Sequence, residues 1–208
     1  KAYSRVIPHG VNFQKIKFQK IKKQKYRFIY ISNIDFYKNQ DFIIDAFVSL
    51  FSDYPELKNI FFIEFYGGYY KPALNQMNAK LKKLKKFKKN FKYFGKKNLK
   101  VIYKNKNNFN TVSLFASSCE NFSVSLIESM SLGIPIICVE LDPMKSVLGN
   151  TAIFYKYNSI ESFKKKIMKV FKNPKILNKK RVKALIKSEN YNNEKMAYQT
   201  YKFLSQKI

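Results

Sequence analysis

Two carboxylates carry the strongest chemical signal in this sequence. Glu120 and Glu128 stand with seven residues between them in the run that begins Ser118-Cys119-Glu120-Asn121-Phe122-Ser123. An apolar run, Thr111 to Ala116, precedes them and reads as a strand. A polar loop from Ser117 to Ser123 follows, and a helix is expected from about Ser123 to Leu132. The start of a helix offers unpaired N–H groups and the positive end of the backbone dipole, which suits phosphate oxygens. Ser123 is placed to cap that start. Helical side chains lean toward the N-terminus, so Glu128 reaches back toward the carboxyl edge of the sheet, where Glu120 also lies. Two acceptor carboxylates flanking an anion site suit a ligand with hydroxyls at both ends and phosphate between. A nucleoside diphosphate sugar is such a ligand. The same pair read as the acid and nucleophile of a glycosidase must face one bond, and no other residue supports that reading. Read as plain surface acids, a pair at this spacing alone arises mostly by chance; the strand–loop–helix setting argues against chance when joined to Gly133-Ile134-Pro135, to Ile7-Pro8-His9-Gly10-Val11-Asn12 and to Lys38.

The elements that must position these residues follow from hydrophobic period. Arg27 to Ser32 is a continuous apolar run, as expected of a strand covered on both faces. Ile43, Phe47, Leu50 and Phe51 mark one helix face, which Pro55 ends. Ile60 to Tyr66 is the next strand, closed by Gly67-Gly68. Pro72 suits the first turn of a helix striped by Leu74, Met77, Leu81, Leu84 and Phe87. Strands are expected at Phe91 to Phe94, ending at Gly95, then at Pro135 to Val139 and Ala152 to Tyr155. Short helices are expected through Leu99 and Ile102 and near Met144 to Leu148. Longer ones are expected over Ile160 to Phe171, Pro174 to Lys187 and Asn193 to Leu204.

This alternation implies an α/β fold, a Rossmann-like doubly wound parallel sheet with helices on both faces. Ligands of such sheets bind at the carboxyl ends of the strands, where the strand order reverses. The loops to inspect are those after Ile31, Tyr66, Phe94, Ala116 and Val139. Phe13 to Lys25 breaks the pattern and reads as an exposed linker or hairpin. Lys80 to Lys92 reads as a basic amphipathic helix. Its lysines are expected to form a solvated face over a core stripe rather than a membrane-binding surface.

The chain has 208 residues and a formal net charge of +28. An anionic partner would explain that charge, but Lys, Asn, Ile, Phe and Tyr are inflated together while Arg, Gly, Ala, Pro and Trp are scarce. AT-rich codons produce that bias without selection for a basic surface. Attraction to phosphates and acidic membranes follows either way, and salt screens it. Two cysteines, Cys119 and Cys138, make no disulfide framework. With His9 as the only histidine, no metal-site spacing appears. No apolar stretch approaches the ~20 residues of a membrane span. The expected setting is cytoplasmic. The chain opens on Lys1 and reads as a piece of a longer protein.

Glu120-x7-Glu128 followed by Gly133-Ile134-Pro135 resembles the signature of retaining glycosyltransferases of family 4, which have the GT-B fold. The whole chain is similar to the C-terminal, donor-binding half of that fold. Ile7-Pro8-His9-Gly10-Val11-Asn12 resembles the family's interdomain junction, and Lys38 falls where the family has its donor-phosphate lysine. Asn33 stands where the family usually has Arg as a second phosphate cation. Glu120-Asn121-Phe122-Ser123 with Asp142-Pro143-Met144 downstream is similar to members that build bacterial cell-surface polysaccharides.

The resemblance implies a role for each of these residues. Glu128 would bond the ribose hydroxyls. Glu120 would sit beside the transferred sugar, and Lys38 would neutralise the diphosphate, these two being the catalytic pair. Backbone N–H groups of Asn121, Phe122 and Ser123 would contact sugar or phosphate. Asn33 would lie by the phosphates, and Gly95 and Lys96 near the base. His9 is expected to be a junction or surface residue. The expected reaction moves a hexose from a nucleotide diphosphate sugar to a saccharide or lipid-linked acceptor with retention. No metal or other cofactor is expected.

The resemblance also divides the chain. Residues 1–25 would form the interdomain junction and a basic linker, 26–190 the nucleotide-sugar-binding domain, and 191–208 a helix crossing back to an absent N-terminal acceptor domain. The isolated chain is therefore expected to transfer little. It is also expected to touch the inner face of an anionic membrane peripherally. Two other readings are weighed. A nucleic-acid-binding domain would cluster its basic residues on one recognition element, and here they are spread over every segment. A truncated remnant would bind donor without catalysing transfer.

Overall fold

Six apolar runs become six parallel strands: β1 (Tyr26–Ile31), β2 (Phe61–Tyr66), β3 (Phe91–Tyr93), β4 (Asn110–Phe115), β5 (Ile136–Val139) and β6 (Ile153–Tyr155). The computed structural model describes residues 4–12, 25–104 and 109–205. The expected linker or hairpin at Phe13 to Lys25 lies, except for its last residue, outside the described residues. The sheet order is β3-β2-β1-β4-β5-β6. The chain starts in the middle at β1, works outward to β3, then returns to lay β4 against the other side of β1. That reversal puts the switch point between the carboxyl ends of β1 and β4.

Eight helices are described: α1 (Gln40–Asp53), α2 (Lys71–Lys83), α3 (Leu99–Lys104), α4 (Val124–Ser131), α5 (Met144–Leu148), α6 (Ile160–Lys172), α7 (Lys175–Ser188) and α8 (Asn193–Ser205). α1 packs on α2 and α6, and α4 packs on α7. The aromatic-rich composition is spent in this core, where Phe28, Phe47, Phe61 and Phe163 are fully buried. Phe28 meets Phe47 at 4.9 Å and Phe47 meets Phe163 at 5.4 Å between ring centroids, so the inner strand is locked to α1 and α6 by interdigitated rings.

Arg27 opens the first expected run as its one charged residue, yet it is buried. Its guanidinium bonds Glu64 Oε2 at 2.5 Å, Ile102 O at 2.8 Å and Tyr66 Oη at 2.8 Å. A cation sits inside the fold because each of its three nitrogens meets an acceptor, one of them a carboxylate. Burial, and then its hydrogen bond to Glu64, push the Tyr66 phenol up to about 12. The Tyr66 ring stacks on Phe94 at 4.9 Å, which steadies the strand end just before Gly95.

Two boundaries differ from the sequence reading. The basic helix expected over Lys80 to Lys92 is not one helix: α2 stops at Lys83 and a 3-10 turn, Lys85–Phe87, follows. A tertiary anchor accompanies the break: the buried Asn90 side chain donates to Lys58 O and Phe61 O at 2.8 Å each and pins the chain for entry into β3. Pro55 does more than end α1, since it opens a 3-10 turn, Pro55–Asn59.

The N-terminal segment and α8 meet. Val11 N–H donates to Tyr191 O at 2.8 Å, and Val11 and Asn192 form a parallel bridge. A Cβ on Gly10 would lie 2.5 Å from the Asn192 backbone, so only glycine permits this approach. Among the described residues, no helix is long and apolar enough to cross a membrane.

Candidate active site

The switch point is built around Tyr30, the last fully buried residue of β1. Its phenol donates to Lys38 O at 2.6 Å and accepts from Ala116 N–H at 3.1 Å. One side chain thus ties together the loops that follow β1 and β4. Burial pushes this phenol far above its ordinary range, so it stays a neutral donor.

Lys38 sits on a 3-10 turn, Phe36–Lys38, whose start Asp35 caps by accepting from Phe36 N–H at 2.7 Å. The turn leaves through Asn39 in the left-handed region, φ 54°. Asn tolerates that conformation, and here its amide donates to Ala116 O at 2.9 Å. Ser118 N–H donates to Tyr37 O at 2.8 Å. These bonds bring Lys38 Nζ onto Glu120 Oε1 as an ion pair, with the two side chains 12% and 11% exposed. Lys38 Nζ also lies 4.7 Å from the centre of the Tyr37 ring. Residues 82 positions apart in sequence are therefore joined at the sheet's switch point.

Glu128 stands on α4, half-buried, and no hydrogen-bond donor reaches its carboxylate among the described residues. Burial raises its carboxyl pKa above the ordinary value. The helix that carries it is keyed to the sheet through Ser129, whose hydroxyl lies 3.1 Å from Ser113 Oγ on β4. Glu120 and Glu128 do not share a hydrogen bond or ion pair. Ser123 occupies the cap position of α4 in extended conformation but makes no capping bond. Its hydroxyl pairs instead with Ser125 Oγ, two residues on, at 3.1 Å, and the expected side-chain cap is not formed.

The remaining expected contacts spread along the same edge. Asn33 is exposed, and its Oδ1 accepts from Gly68 N–H at 3.0 Å. Gly67 N–H in turn donates to Gly95 O at 3.1 Å. The loops after β1, β2 and β3 are thus chained together, with Gly95 in the left-handed region at φ 67° and Lys96 exposed beside it. Asn121 is exposed and Phe122 half-buried.

Sequence reasoning missed what Phe122 touches. Its ring lies between His9 at 5.7 Å and Tyr191 at 5.9 Å. His9 is exposed, as a surface residue should be, but it also abuts the loop that carries Glu120. Tyr30 and Asn39 were missed too. A tyrosine in an apolar strand reads as core, while Asn39, one residue before a helix, carried a usable turn signal. Among the described residues, no three His, Cys, Asp or Glu side chains are grouped as metal ligands would be.

Residues 12–190 match the family model described as glycosyl transferases group 1, and the chain belongs to that family. No curated protein matches it. Solved structures share the fold. A pneumococcal O-GlcNAc transferase, GtfA, in complex with UDP and GlcNAc, superimposes with a TM-score of 0.70 at 17% identity over 90% of this chain and 37% of its own. Anabaena HepE in complex with UDP-glucose gives 0.73 at 13% identity, over 88% of this chain and 49% of its own. A glycosyltransferase from Rickettsia africae gives 0.74 at 15%, over 89% and 48%. The chain therefore spans half or less of each of these proteins. The shared architecture is the Rossmann-like sheet of GT-B glycosyltransferases.

Proposed function

We propose that this chain binds the nucleotide diphosphate sugar of a retaining family 4 hexosyltransferase and, with a second domain, passes the hexose to a saccharide or lipid-linked acceptor. The observation that carries the reading is the Lys38–Glu120 pair at the β1/β4 switch point, with Glu128 half-buried on α4 and its carboxylate without a hydrogen-bond donor among the described residues. In this account the donor diphosphate draws Lys38 away from Glu120, exchanging one anion for another. The freed Glu120 then faces the sugar, and Glu128 takes donors from the ribose hydroxyls. Lys38 and the N–H groups of Asn121, Phe122 and Ser123 offset the charge that develops on the leaving diphosphate, with no metal in the scheme. Asn33, Gly95 and Lys96 border the phosphates and base. Cell-surface polysaccharide synthesis at the inner face of a membrane fits the Asp142-Pro143-Met144 resemblance and the +28 charge.

Thermal shift with UDP-, GDP- and ADP-glucose tests the reading. UDP comes first, because the pneumococcal and Anabaena structures hold it. Specific binding raises Tm by mass action, so one base is expected to stabilise the chain beyond the others. Equal null responses to all three would overturn the proposal.

A further inference from the structure

The loop that carries Glu120 is held by two different means along its length. Its first half is tied to the Lys38 turn. Ser118 N–H donates to Tyr37 O at 2.8 Å, and the Ser117 and Ser118 hydroxyls donate to the same carbonyl at 3.3 and 3.2 Å. Its second half has no such ties. Asn121 and Phe122 make no hydrogen bond among the described residues, so their backbone N–H groups are open. A loop that offers its N–H groups to a ligand cannot spend them on its own fold, and side chains must position it instead.

The Phe122 ring supplies that hold. It sits between His9 at 5.7 Å and Tyr191 at 5.9 Å, each pair tilted by 50°, within the range of favourable ring contacts. His9 and Tyr191 come from distant parts of the chain, yet one small assembly fixes both. Val11 N–H donates to Tyr191 O at 2.8 Å, Gly10 N–H meets Met196 Sδ at 3.3 Å, and Asn193 Nδ2 donates to Asn12 Oδ1 at 2.7 Å. Tyr191 is half-buried, and its hydroxyl makes no hydrogen bond among the described residues. What Tyr191 contributes is therefore its ring.

We infer that His9 and Tyr191 are positioning residues for the donor loop: they seat the Phe122 ring and so hold the open N–H groups of Asn121 and Phe122 in place for the ligand. Residues 9–12 and 191–196 act as a brace outside the site, and neither ring touches the substrate. The inference rests on the proposed donor site, and the test separates the two. Isothermal titration of the 208-residue chain with UDP-glucose and with UMP provides it. UMP has a ribose for Glu128 but lacks the sugar and second phosphate that the loop would meet. Tyr191→Ala is expected to weaken UDP-glucose binding about five- to tenfold and UMP binding by less than about twofold. Tyr191→Phe keeps the ring and is expected to bind both ligands as the wild type does. His9→Ala changes an exposed side chain, so it carries the test if Tyr191→Ala does not fold. It is expected to weaken UDP-glucose binding about two- to threefold and leave UMP binding unchanged. Unchanged UDP-glucose affinity in both alanine variants, or an equal loss for both ligands, would overturn the inference and leave the donor site standing. A wild type that binds neither ligand would overturn the donor site and the inference with it.

Discussion

Glu128 is a carboxylate that folding half-buries and, among the described residues, leaves without a donor, so its environment works against its own charge. Its folded pKa lies above the unfolded one. Its contribution therefore favours the folded state below the unfolded value and is lost as pH rises through the folded value. At neutral pH the ionised group opposes folding. Glu128→Gln is expected to raise the Tm of the free protein at pH 7, with the gain vanishing toward pH 4.5, the ordinary carboxyl value, and below. A ligand-binding carboxylate stores such a penalty and a plain surface acid does not, so an unchanged Tm would count against its role. Tyr30 carries a different load. Tyr30→Phe keeps the ring and strands the Ala116 N–H and Lys38 carbonyl, for an expected cost of about 1–3 kcal/mol in denaturant unfolding. The sequence put Glu120 on the loop after β4 and Glu128 on the next helix, and the structure has them there, because the apolar run before the loop and the helical period after it are both plain. Tyr30 was not legible, because a phenol inside an apolar run announces burial and hides its hydrogen bonds.

At the scale of elements, the strands and most helices followed from period alone, because strands buried on both faces are unbroken apolar runs. What failed was local. Nothing in Lys80 to Lys92 forbids helix, yet α2 stops at Lys83, and the chain beyond it is held by the tertiary anchor of Asn90 on Lys58 and Phe61. Arg27 was hidden for the same reason, since its partners Glu64, Tyr66 and Ile102 come from other elements. The loops of the carboxyl edge depend on close backbone approach. Gly67 has φ 139°, and a Cβ there would lie 2.1 Å from Ser32 O. Gly67→Ala must therefore part the loops after β1 and β2. It is expected to cost about 2 kcal/mol or more by chemical denaturation and to weaken donor binding with it.

For the molecule as a whole, the +28 charge and the proposed donor site are expected to respond differently to salt. Surface lysines act through solvent, whereas Lys38 is 12% exposed and held by a carboxylate. Co-sedimentation with phosphatidylserine vesicles is expected to be strong at low ionic strength. It should be lost as the screening length falls from ~10 Å at 0.1 M salt to ~3 Å at 1 M. Binding that survives 1 M salt would point to apolar insertion instead. Family membership covers residues 12–190, and the fold relatives are about twice as long or longer, so the proposed donor site is the part of the proposed reaction that lies on this chain.

The central claim is that Lys38, Glu120 and Glu128 form a nucleotide-sugar site, and titrating UDP-glucose into wild type, Lys38→Ala and Glu128→Ala while reading Tm addresses it most directly. At about 100 times Kd the wild type is expected to gain about 5–10 °C, with both variants losing most of that gain. A wild-type gain retained in full by both variants would contradict the account, because the donor would then be bound somewhere other than the β1/β4 switch point.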